Sequence, residues 1–177
     1  MKVTHSFEEL ISLLSQLDKN HYKEVLENFE YDLNEINAYA CWDDDIYMRH
    51  GIVKTDDFEL ILMCWNVEQQ TPIHCHNGKD CWMRILQGRI EETVFERHHN
   101  DGLHLVKSQV YVAGNLAHVN DRLGVHRLKN VGGEKAISLH LYAKPIEQCS
   151  VYDTQTNDFK IKTMCYDSYK GKMIEKL

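Results

Sequence analysis

Residues 72–88 read PIHCHNGKDCWMRILQG and contain the pattern that decides the fold: His74 and His76, one residue apart, just after a proline. Successive side chains of a β-strand point to opposite faces, so residues i and i+2 share a face. In a strand, His74 and His76 would therefore aim two imidazoles at one point, and Cys75 between them would face the other way. The pattern predicts a metal-binding β-barrel.

A later stretch, residues 124–130 with the sequence GVHRLKN, supplies a third histidine, His126. Three neutral imidazoles suit Fe(II), Zn(II), Cu or Ni and leave coordination positions open for a substrate. Open positions indicate catalysis rather than a structural metal. The chain has 11 histidines, and any one of them is more often a surface or core residue than a ligand. The joint spacing of His74, His76 and His126 therefore indicates the site.

Length and composition fit one domain, residues 1–177. Hydrophobic residues make up 43% of the 177, enough to fill a core. The 20 lysines and arginines against 27 aspartates and glutamates give a net charge of −7, without a basic run long enough to hold phosphates. Nucleic acid is therefore not an expected partner.

The N-terminal sequence and the cysteines bear on location. Residues 1–10 lack the apolar run of a signal peptide, and no segment reaches the roughly 20 apolar residues that a membrane span needs. We therefore expect no membrane partner and a cytoplasmic location. Six cysteines are typical of a disulfide framework only in short secreted chains, so we expect free thiols.

The first part of the chain has helical patterns. Ser6 and Glu9 have the spacing of a capping box and precede apolar residues at helical intervals, which predicts a helix over about residues 6–17. A second helix is predicted at about 22–29 and a short third one at about 33–39. We expect a helical lead-in over about residues 1–40.

From Tyr47 onward the pattern changes to short apolar or alternating runs, at 58–65, 82–86, 90–95, 103–112, 126–128 and 136–142. Turn signals favouring positive φ lie between several of them: Asn77-Gly78, Asn100-Asp101-Gly102 and Gly132-Gly133. The predicted fold is mainly β, with short N-terminal helices followed by a small antiparallel β-barrel or jelly roll over about 45–165 that carries the metal site.

Both histidine motifs resemble those of the cupin superfamily, and within it the chain is similar to the type I cysteine dioxygenase family. A typical cupin has a glutamate where this chain has Cys81, and cysteine there is typical of the thiol dioxygenase branch. The resemblance covers roughly residues 40 to 165 and rests on residues 74–81 with Gly88, 124–127 with Asn130, 138–142, 47–49 and Cys149. It implies a single cupin domain.

The resemblance also implies the chemistry. His74, His76 and His126 would bind Fe(II), and the enzyme would oxidise L-cysteine with O₂ to cysteine sulfinic acid (3-sulfinoalanine). A three-histidine set adds no charge to the metal, which leaves Fe(II) able to take an anionic thiolate. L-Cysteine and O₂ would be the small-molecule partners, and the expected state is a monomer acting in cysteine catabolism.

Ser138, His140 and Tyr142 share one face of a predicted strand, opposite an apolar face. The strand alone favours the solvent side for this polar stripe. The resemblance instead implies that the stripe points into the barrel as part of the catalytic set, where Ser138 orients His140, His140 hydrogen-bonds to Tyr142, and the phenol reaches substrate or oxygen. Cys81 would lie beside Tyr142, and in part of the family this pair forms a thioether crosslink.

The resemblance of residues 47–49 implies that Arg49 binds the substrate, and a guanidinium suits this role because it holds a carboxylate with two parallel hydrogen bonds. The alternative is a surface ion pair with a neighbouring aspartate. Tyr47 lies at i−2 and would share its face, and Cys149 falls where the family often has a cysteine beside the site. Trp65 and Met63 share a strand face and are further candidates for the pocket, although packing explains both equally well.

Two alternative functions stay open. One is the same chemistry on another small thiol such as 3-mercaptopropionate, although dioxygenases for that thiol typically have glutamine where Arg49 stands. The other is a non-catalytic cupin that binds a metal and a small molecule as a sensor. A sensor would leave Arg49, Tyr47, His140 and Tyr142 without a joint purpose.

Overall fold

The computed structural model describes residues 1–98, 102–119 and 124–175. The helices are α1 (Phe7–Leu14), α2 (Tyr22–Glu27) and α3 (Leu33–Tyr39), with a 3₁₀ turn at Lys19–His21. Helix α1 begins as predicted because Ser6 Oγ accepts the Glu9 N–H at 3.2 Å. The first two helices end earlier than the sequence predicts. No helix in the described part of the chain is long and apolar enough to cross a membrane.

The strands are β1 (Met48–Lys54), β2 (Phe58–Trp65), β3 (Cys81–Gln87), β4 (Arg89–His98), β5 (Gly102–Val112), β6 (Leu116–Val119), β7 (Val125–Asn130), β8 (Ala136–Ala143), β9 (Gln148–Asp153), β10 (Asp158–Thr163), β11 (Ser168–Tyr169) and β12 (Lys172–Met173). Every apolar run named from the sequence is a strand. Strand β1, the short β6 and the C-terminal strands β9–β12 were not among those runs.

The strands form three sheets, in the orders β12-β11-β1-β2-β8-β3-β6, β5-β4-β7 and β10-β9. Neighbouring strands are antiparallel except β11, which runs parallel to β1. The mainly β, jelly-roll class is thus confirmed. Among the described strands, the sheets do not close into one continuous barrel.

Both faces of the large sheet are covered. Phe58, Leu60 and Leu62 of β2 pack with the buried residues of α1 and α2, whereas Ile61 and Met63 belong to the interior cluster between the sheets. The predicted polar stripe of β8 lies on this interior side, and its members are at most 4% exposed. The stripe therefore points inward, as the resemblance implied, because helices occupy the other face.

The segment 71–80 departs from the sequence prediction, since His74 and His76 do not lie in a strand. His74 instead forms isolated bridges with His126 on one side and with Val151 on the other. After His76 the chain turns at Asn77 and Gly78, whose φ values of 52° and 78° are the positive ones that this dipeptide favours.

The other two turn predictions differ in outcome. Gly102 has the expected positive φ of 77°, and Asn100 and Asp101 lie outside the described residues. Gly132 and Gly133 form a bend between β7 and β8 without positive φ. Their prediction as a tight hairpin was wrong, because β7 and β8 belong to different sheets and are not hairpin partners.

Arg84 of β3 joins the helical lead-in to the large sheet. Its Nη1 donates to the carbonyl of Leu26 and, at 2.6 Å, to that of Phe29. These groups lie at the end of α2, where carbonyls lack partners within the helix. The guanidinium also lies 5.6 Å from the ring centroid of Tyr31, whose hydroxyl donates to the Leu86 carbonyl at 2.7 Å. One half-buried cation thus fixes the helices against the strand.

Replacing Arg84 with methionine keeps an apolar stem and removes the charged donors. We expect the free energy of unfolding to fall by about 1.5–3 kcal/mol, the scale of a hydrogen bond to a charged group, as measured by urea denaturation. Arg97→Met is the matched control, because its pair with Asp158 at 3.1 Å is exposed and worth about 1 kcal/mol or less. Equal losses in the two variants would contradict the role of Arg84.

Candidate active site

Three histidines from two separate parts of the sequence meet beside β7. His126 lies in β7, and His74 pairs with it through reciprocal backbone hydrogen bonds, each 2.9 Å long. Two residues further on, His76 places its Nε2 3.1 Å from Nε2 of His126. One ligand atom from each of the three lies within 4.8 Å of the others. This arrangement can hold a single metal ion and leave positions open.

Burial keeps the imidazoles of the loop neutral. Desolvation, followed by the nearby His126, lowers the pKa of His74 to about 3. The same two causes lower the pKa of His76 well below its ordinary value. A neutral imidazole can offer a nitrogen lone pair to a metal, whereas an imidazolium cannot. The donor set therefore fits a divalent metal at neutral pH.

Glu92 of β4 orients one of these rings and was missed in the sequence. Its Oε1 lies 2.9 Å from Nδ1 of His126, and its Oε2 accepts the Tyr111 hydroxyl at 3.3 Å. The side chain is buried, and burial alone would raise its pKa, but the hydrogen bond and charge of His126 lower the pKa overall. With Nδ1 directed at a carboxylate, Nε2 is left to face the cluster.

A sequence signal for Glu92 did exist. Ile90, Glu92 and Val94 occupy every second position of β4, and all three are buried. A glutamate on the apolar side of a strand needs a partner inside the fold. The sequence gives no indication of which partner, because His126 reaches Glu92 only through the pairing of β4 with β7.

A cavity of about 30 Å³ lies beside the histidines. The residues singled out from the sequence that line it are Tyr47, Arg49, Met63, His74, His76, His140 and Tyr142. The residues that complete the wall and were not predicted are Thr71, Pro72, Leu128, Lys162 and Met164. An outer cavity of about 610 Å³ shares part of this wall, including Arg49 and Lys162.

Arg49 lies in this cavity with unused hydrogen-bond donors. It is 8% exposed, and its Nε and Nη2 are buried without a hydrogen-bond partner among the described residues. Leaving buried charged donors unpaired is unfavourable. The alternative surface ion pair with a neighbouring aspartate is not formed among the described residues. The guanidinium is therefore suited to receive an anionic ligand from the cavity.

The inward face of β8 carries a hydrogen-bonded row. Trp65 Nε1 donates to Ser138 Oγ at 2.9 Å, and Ser138 Oγ lies 2.8 Å from Nε2 of His140. Burial, followed by the charge of Arg49, lowers the pKa of His140 to about 3. The rings of His140 and Tyr142 are 6.5 Å apart between centroids, and no hydrogen bond joins them within the described part of the chain. The relay expected from the sequence thus ends at His140.

Cys81 and Tyr142 are cross-strand partners in β3 and β8. Both side chains are buried, and burial raises the pKa of the thiol and of the phenol. Both groups are therefore uncharged at neutral pH. The strand register places the thiol opposite the phenol, which is the juxtaposition that the expected crosslink requires.

The remaining predicted binding residues lie at different depths. Tyr47 and Met63 line the cavity. Trp65 is fully buried behind it, stacked on Tyr47 at 4.9 Å between ring centroids. Cys149 is also behind the wall, and its Sγ contacts the Met164 sulfur at 3.2 Å. Trp65 and Cys149 thus support wall residues rather than face the cavity.

Comparison with known proteins agrees with this site. Residues 4–155 match the family described as "Cysteine dioxygenase type I". The chain belongs to this family. Family membership confirms the resemblance seen in the histidine motifs and the prediction of a dioxygenase enzyme.

Two relatives show how far the likeness extends. "Cysteine dioxygenase type 1" of Homo sapiens is 32% identical over 173 residues, which cover 92% of this chain and 86% of the relative. The protein of the same name from Danio rerio is 30% identical over 178 residues, which cover 94% and 89%. Among solved structures, a Klebsiella pneumoniae protein with a double-stranded beta-helix domain is 20% identical, with coverage of 62% and 86% and a TM-score of 0.49.

Removing the carboxylate of Glu92 should weaken metal binding. We expect Glu92→Ala to raise the dissociation constant for Co(II) about 10- to 100-fold, since His126 loses the acceptor that orients it. Anaerobic calorimetric titration of the metal-free protein measures this. Glu91→Ala is the control, because Glu91 is the preceding residue and its carboxylate accepts from Ser108 Oγ at the surface, at 2.8 Å. Equal affinities in the two variants would remove Glu92 from this role.

Proposed function

We propose that this protein is an Fe(II)-dependent dioxygenase that oxidises L-cysteine to cysteine sulfinic acid. Both atoms of O₂ end on the substrate sulfur, so the thiol and O₂ together account for the product. Family membership supports the reaction class, and the three-histidine cluster supports the metal. The buried, unpaired guanidinium of Arg49 in the same cavity carries the choice of a thiol that bears a carboxylate.

In this proposal His74, His76 and His126 hold the iron. Neutral imidazoles bind Fe(II) and also other first-row divalent ions. The three histidines therefore fit Fe(II) but do not by themselves select it over those ions. When bound, the iron supplies a centre that takes the thiolate and activates O₂. Glu92 fixes the ring of His126, and the Pro72 carbonyl lies 3.0 Å from Nδ1 of His74, which keeps both rings oriented.

Arg49 would bind the substrate carboxylate. Its two unpartnered nitrogens, Nε and Nη2, can pair with a carboxylate, whereas a thiol without a carboxylate leaves them buried and unsatisfied. A site built around a polar group strongly rejects ligands that lack the complementary group. Tyr47 lines the same cavity as the guanidinium and is held in place by stacking on Trp65. These contacts favour L-cysteine over cysteamine.

Tyr142 would present a neutral phenol to the reacting groups. Its high pKa keeps the proton on the oxygen, so the hydroxyl can donate a hydrogen bond rather than repel an incoming anion. Ser138 and Trp65 hold His140 in place next to it. The small, buried cavity limits the water that can accompany the substrate.

We also propose the Cys81–Tyr142 thioether. A bond forms between Cys81 Sγ and a ring carbon ortho to the Tyr142 hydroxyl, and the S–H and C–H bonds break. This two-electron oxidation releases two hydrogen atoms, and O₂ is the oxidant that accepts them. The antiparallel register supports the proposal because it places Cys81 of β3 directly opposite Tyr142 of β8.

We further propose partners, an oligomeric state and a location for the enzyme. L-Cysteine and O₂ are the partners, and the enzyme acts as a monomer in the cytoplasm, where small thiols are kept reduced. A reduced compartment supplies the substrate as a thiol and preserves Cys81 until turnover.

Oxygen uptake tests the reaction and the substrate together. We expect anaerobically prepared, Fe(II)-loaded protein to consume O₂ with L-cysteine and to form a product heavier by the mass of two oxygen atoms. Arg49→Gln should raise the Michaelis constant for L-cysteine by the equivalent of about 1.5–3 kcal/mol, the scale of a charged hydrogen bond.

Other outcomes of this experiment separate the alternatives. If O₂ is consumed faster with 3-mercaptopropionate than with L-cysteine, then 3-mercaptopropionate is the substrate. No uptake with any thiol, despite bound iron, would favour a binding protein. An unchanged Michaelis constant in Arg49→Gln would contradict the carboxylate contact, and loss of iron from His126→Ala serves as the control for the metal site.

The crosslink has its own test on a denaturing gel. We expect protein purified after turnover to run as a doublet, because an internal thioether closes a loop and makes the denatured chain more compact. Cys81→Ala should run as a single band and keep substantial activity. Cys64→Ala is the matched control, since Cys64 is equally buried but lies on the helix side of the sheet. A doublet that persists in Cys81→Ala would mean a different crosslink.

A further inference from the structure

The C-terminal residues 166–170 lie beyond the part of the chain that matches the family, yet they contact the strand that carries Arg49. The Arg49 N–H donates to Oδ2 of Asp167 at 2.8 Å, and the Asp167 N–H donates to the Arg49 carbonyl at 2.8 Å. Asp167 thus holds both polar groups of the Arg49 backbone. We refer to residues 166–170 as the C-terminal brace.

Further contacts hold the brace against β1. Ser168 pairs in parallel with His50, and its Oγ lies 2.7 Å from Nδ1 of that histidine. The Lys170 N–H donates to the Gly51 carbonyl at 2.8 Å. His50 and Ser168 are both nearly inaccessible to solvent, at 1% and 2% exposed. The contact is therefore a buried extension of the large sheet.

Gly51 permits this close approach. A Cβ at this position would lie 2.7 Å from a ring carbon of Tyr169 and 3.1 Å from ring carbons of Tyr166. The two tyrosine rings are stacked, with centroids 5.5 Å apart, so neither can move aside without disturbing the other. Tyr166 is also anchored from its far end, because its hydroxyl donates to the buried carboxylate of Glu59.

The Asp167 carboxylate is itself buried, at 8% exposed. A buried carboxylate is unfavourable unless hydrogen bonds satisfy it, and here a backbone N–H of the substrate-binding residue does so. Two parallel hydrogen bonds to a carboxylate need a guanidinium placed to within a fraction of an ångström. A restraint on the Arg49 backbone is therefore a restraint on the guanidinium.

We propose that Asp167 is a positioning residue for Arg49 and that the C-terminal brace thereby tunes selection for thiols that bear a carboxylate. This inference rests on the proposed carboxylate contact of Arg49. Asp167 acts through the backbone of Arg49 and is not a catalytic residue. Its removal should affect ligands with a carboxylate and spare ligands without one.

A binding experiment on Co(II)-loaded protein tests this without turnover. The absorbance change on thiolate binding to Co(II) gives dissociation constants for L-cysteine and for cysteamine, which lacks the carboxylate. We expect Asp167→Ala to weaken L-cysteine binding about 5- to 20-fold, less than the full loss of a hydrogen bond to a charged group because Arg49 itself remains, and to change cysteamine binding less than about twofold. Asp167→Asn, whose amide oxygen can accept the same N–H, should bind both ligands like the wild type.

Gly51→Ala tests the brace with Asp167 intact. Its Cβ displaces the tyrosine pair, so we expect the same selective weakening of L-cysteine binding. If Asp167→Ala does not fold, Gly51→Ala together with Asp167→Asn decides the question. Asp56→Ala is the control, because Asp56 is an exposed aspartate in the turn after β1, and it should leave both constants unchanged.

The outcomes separate this inference from the proposed function. Equal weakening of both ligands in Asp167→Ala, or no weakening of either, would overturn the positioning role. Failure of Asp167→Asn to bind like the wild type would also overturn it. If Arg49→Gln leaves the preference for L-cysteine over cysteamine intact, the carboxylate contact itself is wrong. If Arg49→Gln abolishes the preference and the brace variants keep it, only the role of Asp167 fails.

Discussion

The two backbone hydrogen bonds between His74 and His126 are the constraint on which the candidate site depends. The segment 71–80 has no strand of its own, so these bonds fix where two of the three imidazoles lie. On the other side, the Tyr152 N–H donates to the Ile73 carbonyl at 2.8 Å, and the Cys75 N–H donates to that of Ser150 at 3.1 Å. The loop is thus held between β7 and β9, so strands of two different sheets fix the positions of its histidines.

Hydrogen bonds then set the orientation of the rings inside the fold. One row runs from Trp65 through Ser138 to His140, and another runs from Tyr111 through Glu92 to His126. Each starts from an aromatic donor and ends at an imidazole nitrogen. A buried polar group without a partner costs about 1–3 kcal/mol, so each ring is held in one orientation. The Arg49 guanidinium, by contrast, has Nε and Nη2 without a partner among the described residues, and a carboxylate ligand would complete its hydrogen bonds.

The helical lead-in gives the site a rigid back wall. The large sheet is buried on both faces, by the helices on one side and by the second sheet on the other. Alternate residues of β2 and β8 therefore pack against the helices or face the interior. The helices thus support the strands that carry the cavity residues Met63, His140 and Tyr142. Arg84 and the C-terminal brace hold this wall at two places, one at the end of α2 and one along β1.

The sequence by itself determined the strand runs, the helical lead-in, the Asn77-Gly78 turn and the identity of most cavity residues. The strands, the helices and the turn depend on local spacing and backbone preference, which a sequence contains directly, whereas most of the cavity residues were implied by the family resemblance. Tertiary structure alone decided that His74 and His76 lie in a bridged loop, that Gly132 and Gly133 join two different sheets, and that Trp65 supports the wall. It also brought Glu92 to His126 and Asp167 to Arg49. Strand pairing between distant segments makes these contacts, and no local pattern specifies which segments will pair.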